Sequence, residues 1–176
     1  MKTKTLKLLA IVFIIIMPNN LILAQCNVET EYYDGKTIIA AEMEQFYESV
    51  GPNNNGDYSY GFAIASGRLY RINPNNYHIQ ISTGFSGIYK RNEVIPRSVE
   101  FKFSNGASFT LSAEKYNLIK NGLHVCDFNI ESKYVNNFKF GISYLKIIDY
   151  RTNRSLNATP TYSRIFSEQL SCIDKY

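Results

Sequence analysis

Tryptophan is missing from this 176-residue chain, and histidine, cysteine and proline are scarce, with two, three and five copies. Each shortage excludes some chemistry. His78 and His124 stand far apart, and neither a His-x-x-x-His nor a Cys-x-x-Cys pair occurs. Imidazole and thiolate metal centres need such clustered ligands, so no metal is expected. Gly84-Phe85-Ser86-Gly87 does not precede a helix and so lacks the context of a phosphate loop. Asp57 in Asn-Asn-Asn-Gly-Asp is one carboxylate among neutral amides, which describes a solvated turn better than a calcium loop. Glu42, Glu44 and Glu48 read as a solvated acidic face. No cofactor is expected.

Long hydrophobic runs are absent beyond the first residues. There, Lys2, Lys4 and Lys7 precede an apolar run from Leu8 to Met17, and Leu21-Ile22-Leu23-Ala24 follows after Pro18. A basic start, an apolar centre and a small-residue cleavage site make a secretory leader over residues 1–24, cut after Ala24. The run is about half of the roughly 20 residues that a spanning helix needs, so no transmembrane span is expected after cleavage. Leu23-Ala24-Gln25-Cys26 also resembles a lipoprotein box, but Gln25 stands where that motif takes Gly, Ala or Ser. A lipid anchor at Cys26 is therefore the lesser alternative. Losing three lysines takes the net charge from +4 to about +1. The basicity belongs to the leader, and a face for nucleic acid is not expected.

What the chain has is tyrosine, phenylalanine, asparagine and glycine, which suit strands and turns. Arg97–Leu111 is the clearest hairpin. Val99, Phe101 and Phe103 alternate with polar residues, as do Ala107, Phe109 and Leu111. A two-residue Asn105-Gly106 turn would place apolar side chains on both faces. A three-residue loop over Ser104-Asn105-Gly106 pairs Phe103 with Ala107, Phe101 with Phe109 and Val99 with Leu111 on one face. It requires Gly106 in the left-handed region, and this register is the expected one.

Further strands are expected at Tyr58–Ala65, Arg68–Ile72, Tyr77–Ser82, His124–Ile130 and Ile142–Tyr150. Ser66-Gly67 is expected to turn, and Ile142–Tyr150 to lie centrally. Cys26–Lys36 reads as a polar lead-in and Thr83–Pro96 as a long connection. Glu131–Phe140 reads as an irregular turn or short helix. Thr37–Val50 stays ambiguous between helix and strand, since Ile39, Met43, Phe46, Tyr47 and Val50 fit a helix but Ile39, Ala41, Met43 and Tyr47 fit a strand face. Thr159 and Pro160 open a terminal helix, as cap and first residue. Residues 25–176 are thus one β-rich domain. It is mainly β, an antiparallel β-sandwich or partly open barrel with a C-terminal helix.

Three cysteines in an exported chain imply one disulfide and one remainder. A bond from Cys126 to Cys172 would staple the helix to a sheet and contribute roughly 3–4 kcal/mol in the chain-entropy model. Alternatives are a bond from Cys26 to either partner, or Cys126 as an unpaired core thiol. Cys126 is also the one candidate nucleophile, with His124 on the same strand face. Neighbours at i and i+2 stand about 7 Å apart, however, and no third partner is evident. No catalytic residue is assigned. Tyr58, Tyr60, Tyr89 and Tyr162 are candidate exposed aromatics, a flat apolar face with a polar tip. Tyr89, Lys90 and Arg91 on the long connection are the candidate binding residues.

Asp34-Gly35-Lys36-Thr37-Ile38, the Val99–Leu111 hairpin, Ser143-Tyr144-Leu145-Lys146-Ile147-Ile148-Asp149-Tyr150 and a short apolar final helix occur in that order. The arrangement resembles small exported β-rich proteins of Gram-negative bacteria. The resemblance implies a fold and a compartment, and a strand within Thr37–Val50; it transfers no catalytic residue. The expected function is that of a secreted or periplasmic, non-catalytic binding protein whose ligand is a glycan or another protein. A thiol-dependent enzyme using Cys126 and His124, or a structural envelope component, are the alternatives.

Overall fold

The computed structural model describes residues 27–52, 60–119 and 123–176. The expected leader, Cys26, the Asn53–Asp57 loop, Tyr58 and the Asn121-Gly122 turn lie outside the described residues. The chain runs through β1 (Val28–Tyr33), β2 (Lys36–Ala41), β3 (Glu44–Pro52), β4 (Tyr60–Ile72) and β5 (Tyr77–Phe85). A 3-10 turn at Gly87–Asn92 leads to β6 (Ser98–Phe103), β7 (Ser108–Ser112), β8 (Lys115–Ile119) and β9 (Leu123–Ile130). Then come α1 (Ser132–Val135), a 3-10 turn at Asn136–Lys139, β10 (Ile142–Asp149), β11 (Arg154–Ala158) and α2 (Ile165–Ile173).

The strands form two antiparallel sheets that do not close into a barrel, a sandwich-like arrangement with α2 at the C-terminus. One sheet is ordered β1-β2-β4-β5-β9-β8, with β3 also on β4; the other is ordered β11-β10-β6-β7. β10 lies between β11 and β6, in the central position its two-sided pattern predicts.

The β6–β7 hairpin has the three-residue loop. Val99 faces Leu111 and Phe101 faces Phe109, and the Phe103 amide donates to the Ala107 carbonyl at 2.9 Å. Gly106 takes φ +86°, which a side chain would strain. Val99, Phe101, Phe103, Phe109 and Leu111 are all buried. A one-residue slip would turn one arm's apolar set to water, and that penalty fixes the register.

Thr37–Val50 is not a helix. It is most of β2 and β3, broken at Glu42-Met43. β2 finds partners on both sides, in β1 and β4, while Phe46 of β3 is buried against Phe166, ring centroids 5.9 Å apart. Backbone pairing and core burial outweigh helix propensity here. The polar lead-in is also a strand, β1, joined to β2 through Asp34 (φ +49°) and Gly35 (φ +71°). Two successive positive φ values make the hairpin turn that Asp-Gly favours.

Ser66-Gly67 does not turn. β4 runs unbroken through it for 13 residues. Gly67 is small for another reason: a Cβ there would lie 2.7 Å from Cζ of Phe166 and 3.0 Å from Cδ1 of Ile81. The strand is bare at that point so that α2 can press onto it. α2 itself begins at Ile165, so Thr159 and Pro160 do not open it. The backbone in between is engaged elsewhere: the Thr161 amide donates to the Phe46 carbonyl, and the Ser163 carbonyl accepts from the Ile142 amide. Those bonds tie the bends and turns of this segment to both sheets and delay the helix. Once started, α2 buries Ile165, Phe166, Gln169, Leu170 and Ile173.

Phenylalanines fill the core. Phe101 lies 5.4 Å from Phe138, 5.6 Å from Phe109 and 6.5 Å from Phe166, mostly in tilted or edge-on pairs. Such pairs contribute roughly 0.5–1.5 kcal/mol each beyond their burial. Phe138 comes from the helical segment after β9, which closes one side of the core.

Candidate functional site

The alternation along β9 places Cys126, Phe128 and Ile130 on the inner face, as expected, and all three are buried; His124, which reads from the sequence as a half-exposed strand residue, is buried beside them. The chemistry at Cys126 is that of a core thiol. It is free and fully buried, so the expected bond to Cys172 is not formed. Cys126 packs inside the sandwich, whereas Cys172 lines a hollow on the helix side with Asn27 and Glu42, and is itself disulfide-bonded. Burial pushes the Cys126 thiol up to about 12; Arg97 pulls it down, and Asp127 and Asp149 add to the rise. Burial therefore favours the protonated thiol over the thiolate that a nucleophile needs.

His124 is engaged through Nε2 with Glu93 Oε1. Beside it, the Thr83 hydroxyl donates to the Val94 carbonyl at 2.7 Å. Arg97 Nε lies 3.2 Å from Asp149 Oδ1, with Asp149 1 % exposed. Burial raises the Asp149 pKa, but hydrogen bonds from Thr152 and from the backbone of Arg151 and Ile95, with the Arg97 charge, outweigh it. The carboxyl is held below its ordinary value. These pairs satisfy polar groups at the end of the sandwich.

Tyr89, Lys90 and Arg91 sit on the Gly87–Asn92 turn, and they divide. Lys90 and Arg91 are exposed, but Tyr89 packs against the core, its hydroxyl 3.2 Å from Ser49 Oγ. Tyr89 is half-buried, and its hydroxyl contact with Ser49 ties the turn to β3. On the outer face of the larger sheet a polar lattice crosses four strands. Glu29 pairs with Arg68 at 3.5 Å, Arg68 donates to Gln80 at 3.0 Å, and Asp127 accepts from Gln80 at 2.9 Å and from Tyr70 at 3.2 Å. His78 stacks on Tyr70 at 5.0 Å, and both its ring nitrogens are buried without a hydrogen-bond partner among the described residues.

The outer face of α2 carries a different set. Arg164, Ser167, Glu168, Ser171 and Lys175 recur at helical spacing opposite the buried stripe. With Lys139 from the neighbouring 3-10 turn they line an open groove of about 480 Å³. Its two carboxylates are both engaged by tyrosines: Tyr162 donates to Glu168 Oε1, and Tyr77 donates to Asp174 Oδ1 at 2.6 Å. Among the described residues no carboxylate lies within ion-pair distance of Lys139 or Arg164. Two half-exposed rings stand next to this lining in the chain, Phe140 at 46 % and Tyr162 at 46 %. Of these residues only Tyr162 is singled out by its sequence. The available signal was an aromatic beside a cation in two separate turns, Lys139-Phe140 and Tyr162-Ser163-Arg164, which only the fold brings together.

No group of three or more His, Cys, Asp or Glu residues able to hold a metal occurs among the described residues. No described helix is long and apolar enough to cross a membrane, which leaves strand-built barrels untouched. No protein-family model matches the chain, and no curated protein or solved structure matches it either.

Proposed function

We propose that this chain is an exported, non-catalytic binding protein and that the groove on α2 takes an anionic glycan. The groove carries the reading. It gathers Lys139, Arg164 and Lys175 around an open hollow of mixed polar and apolar lining, and two half-exposed rings, Phe140 and Tyr162, neighbour that lining in the chain. Sugar faces stack on such rings, and carboxylate or sulfate groups pair with cations whose own acidic neighbours are engaged. Export is supported by the basic-apolar leader pattern of residues 1–24. The inert Cys126 weighs against the thiol-enzyme alternative.

The test is titration calorimetry with a uronic-acid oligosaccharide, with its neutral counterpart and an oligoglutamate peptide as comparators. The acidic sugar binds, and the Lys139→Glu/Arg164→Glu double variant weakens it by at least tenfold, roughly the loss of one charge-assisted contact. Binding of the peptide alone would move the ligand to proteins. Binding of either ligand that the double variant leaves unchanged would sink the groove.

A further inference from the structure

A second hollow, of about 260 Å³, lies between the start of the chain and α2. Asn27, Ala41, Glu42, Glu44, Gln169 and Cys172 are among its walls. Asn27 is fixed there twice: its carbonyl accepts from the Glu42 amide at 3.2 Å, and its side chain donates to Glu42 Oε2 at 3.0 Å. From the other side, the Gln169 amide group donates to the Glu42 carbonyl at 3.1 Å. The residue after Cys26 and the residue Cys172 thus share one small cavity. Consecutive Cα atoms are 3.8 Å apart, and disulfides bridge Cα separations of about 4.4–6.8 Å. The cysteine count completes the argument. The chain has three; Cys126 is free and Cys172 is disulfide-bonded.

We infer that Cys26 and Cys172 form the disulfide of this protein, clamping the lead into β1 onto α2 across this hollow. The bond forms by thiol–disulfide exchange. Two thiols lose two protons and two electrons, and the disulfide of a small-molecule or protein donor takes them up and leaves as two thiols. Cys26 is then committed through its sulfur and is not available for a thioether-linked lipid.

Trypsin separates the three cysteines, since Cys126 lies between Lys120 and Lys133 and Cys172 between Arg164 and Lys175. The test blocks free thiols with iodoacetamide in denaturant, digests without reductant and identifies linked peptides by mass. It is run on protein recovered from cells that export it, and again on the full chain refolded with oxidised and reduced glutathione. In both, the Cys26 and Cys172 peptides are expected as one species that reductant splits, with Cys126 alkylated. In Cys126→Ser the link persists; in Cys172→Ser, Cys26 becomes alkylatable. A link found only in the glutathione sample supports the pairing and counts against export. A link to Cys126, a link between two chains, or an alkylated or lipidated Cys26 in the refolded sample overturns the pairing.

Discussion

Gly67 shows how much one absent side chain can decide. Its Cα faces the ring of Phe166, and a methyl group would sit inside van der Waals contact, 2.7 Å from Cζ. Gly67→Ala is expected to lower stability by about 1–3 kcal/mol, the usual cost of overpacking, as read from urea midpoints. If the clash is the cause, Phe166→Leu should cost less in the Gly67→Ala background than alone, because the shorter side chain makes room. Additive losses would remove that explanation. His78 makes a prediction of another kind. Burial lowers its pKa from 6.5, with Glu114 and Asp127 opposing and Lys115 assisting. The unfolded chain therefore takes up the proton before the native one does, so stability falls as pH drops below about 6.5 and the loss ends below the native value. Asp149 has a lowered pKa too, but it is an acid. Its contribution is complete above the ordinary 3.8 and is lost as pH falls through the lower native value. Denaturant unfolding at a series of pH values should show two separate declines. His78→Leu should abolish the upper one and leave the lower.

At the scale of elements, the β6–β7 hairpin was readable because turn chemistry and burial ask for the same register. Phe138→Ala beneath it should cost about 3–5 kcal/mol, since the ring is fully buried among Phe101, Phe103 and Phe109. A loss below 1 kcal/mol would mean the core refills around the gap. Other elements were hidden for physical reasons. Asp34-Gly35 carries a hairpin signal in plain view, but the flanking strand, with Glu29, Glu31 and Tyr32 exposed, has little apolar alternation to announce it. Gly67 reads as a turn because glycine serves both turns and close approaches, and the helix that requires it lies about a hundred residues away. Thr159-Pro160 carries a start signal for a helix that begins later, because Phe46 and Ile142 claim the intervening backbone. In each case the deciding partner is remote in sequence. The groove on α2 follows the same rule, since Lys139 and Arg164 come together only through the packing of the helix.

At the scale of the molecule, charge is unevenly committed between the end of the sandwich and the groove. Asp149 is paired with Arg97 inside the sandwich end, and Glu93 with His124, while Lys139 and Arg164 face solvent beside carboxylates that tyrosines hold. An anionic ligand bound there is held by exposed charges. Its affinity should therefore fall steeply between 50 and 500 mM salt, by roughly tenfold or more, while the unfolding midpoint moves little. Equal sensitivity of both would place the salt effect in the fold and not in the groove. Removing the interior pair has the opposite signature. Asp149→Asn leaves the Arg97 charge uncompensated and should cost roughly 3 kcal/mol of stability with no change in ligand affinity.

Gln169 ties these scales together, and it has a consequence for timing. Its side chain accepts from the Leu69 amide at 2.8 Å and donates to the carbonyls of Glu42 at 3.1 Å and Gly67 at 3.3 Å. One residue of the last helix thus completes the hydrogen bonding of strands laid down more than a hundred residues earlier. Until α2 is made, Phe46 and Gly67 lack Phe166, and the Leu69 amide and the Glu42 and Gly67 carbonyls lack their bonds to Gln169. The clasp that Gln169 makes is therefore expected to be among the last parts of the sandwich to close.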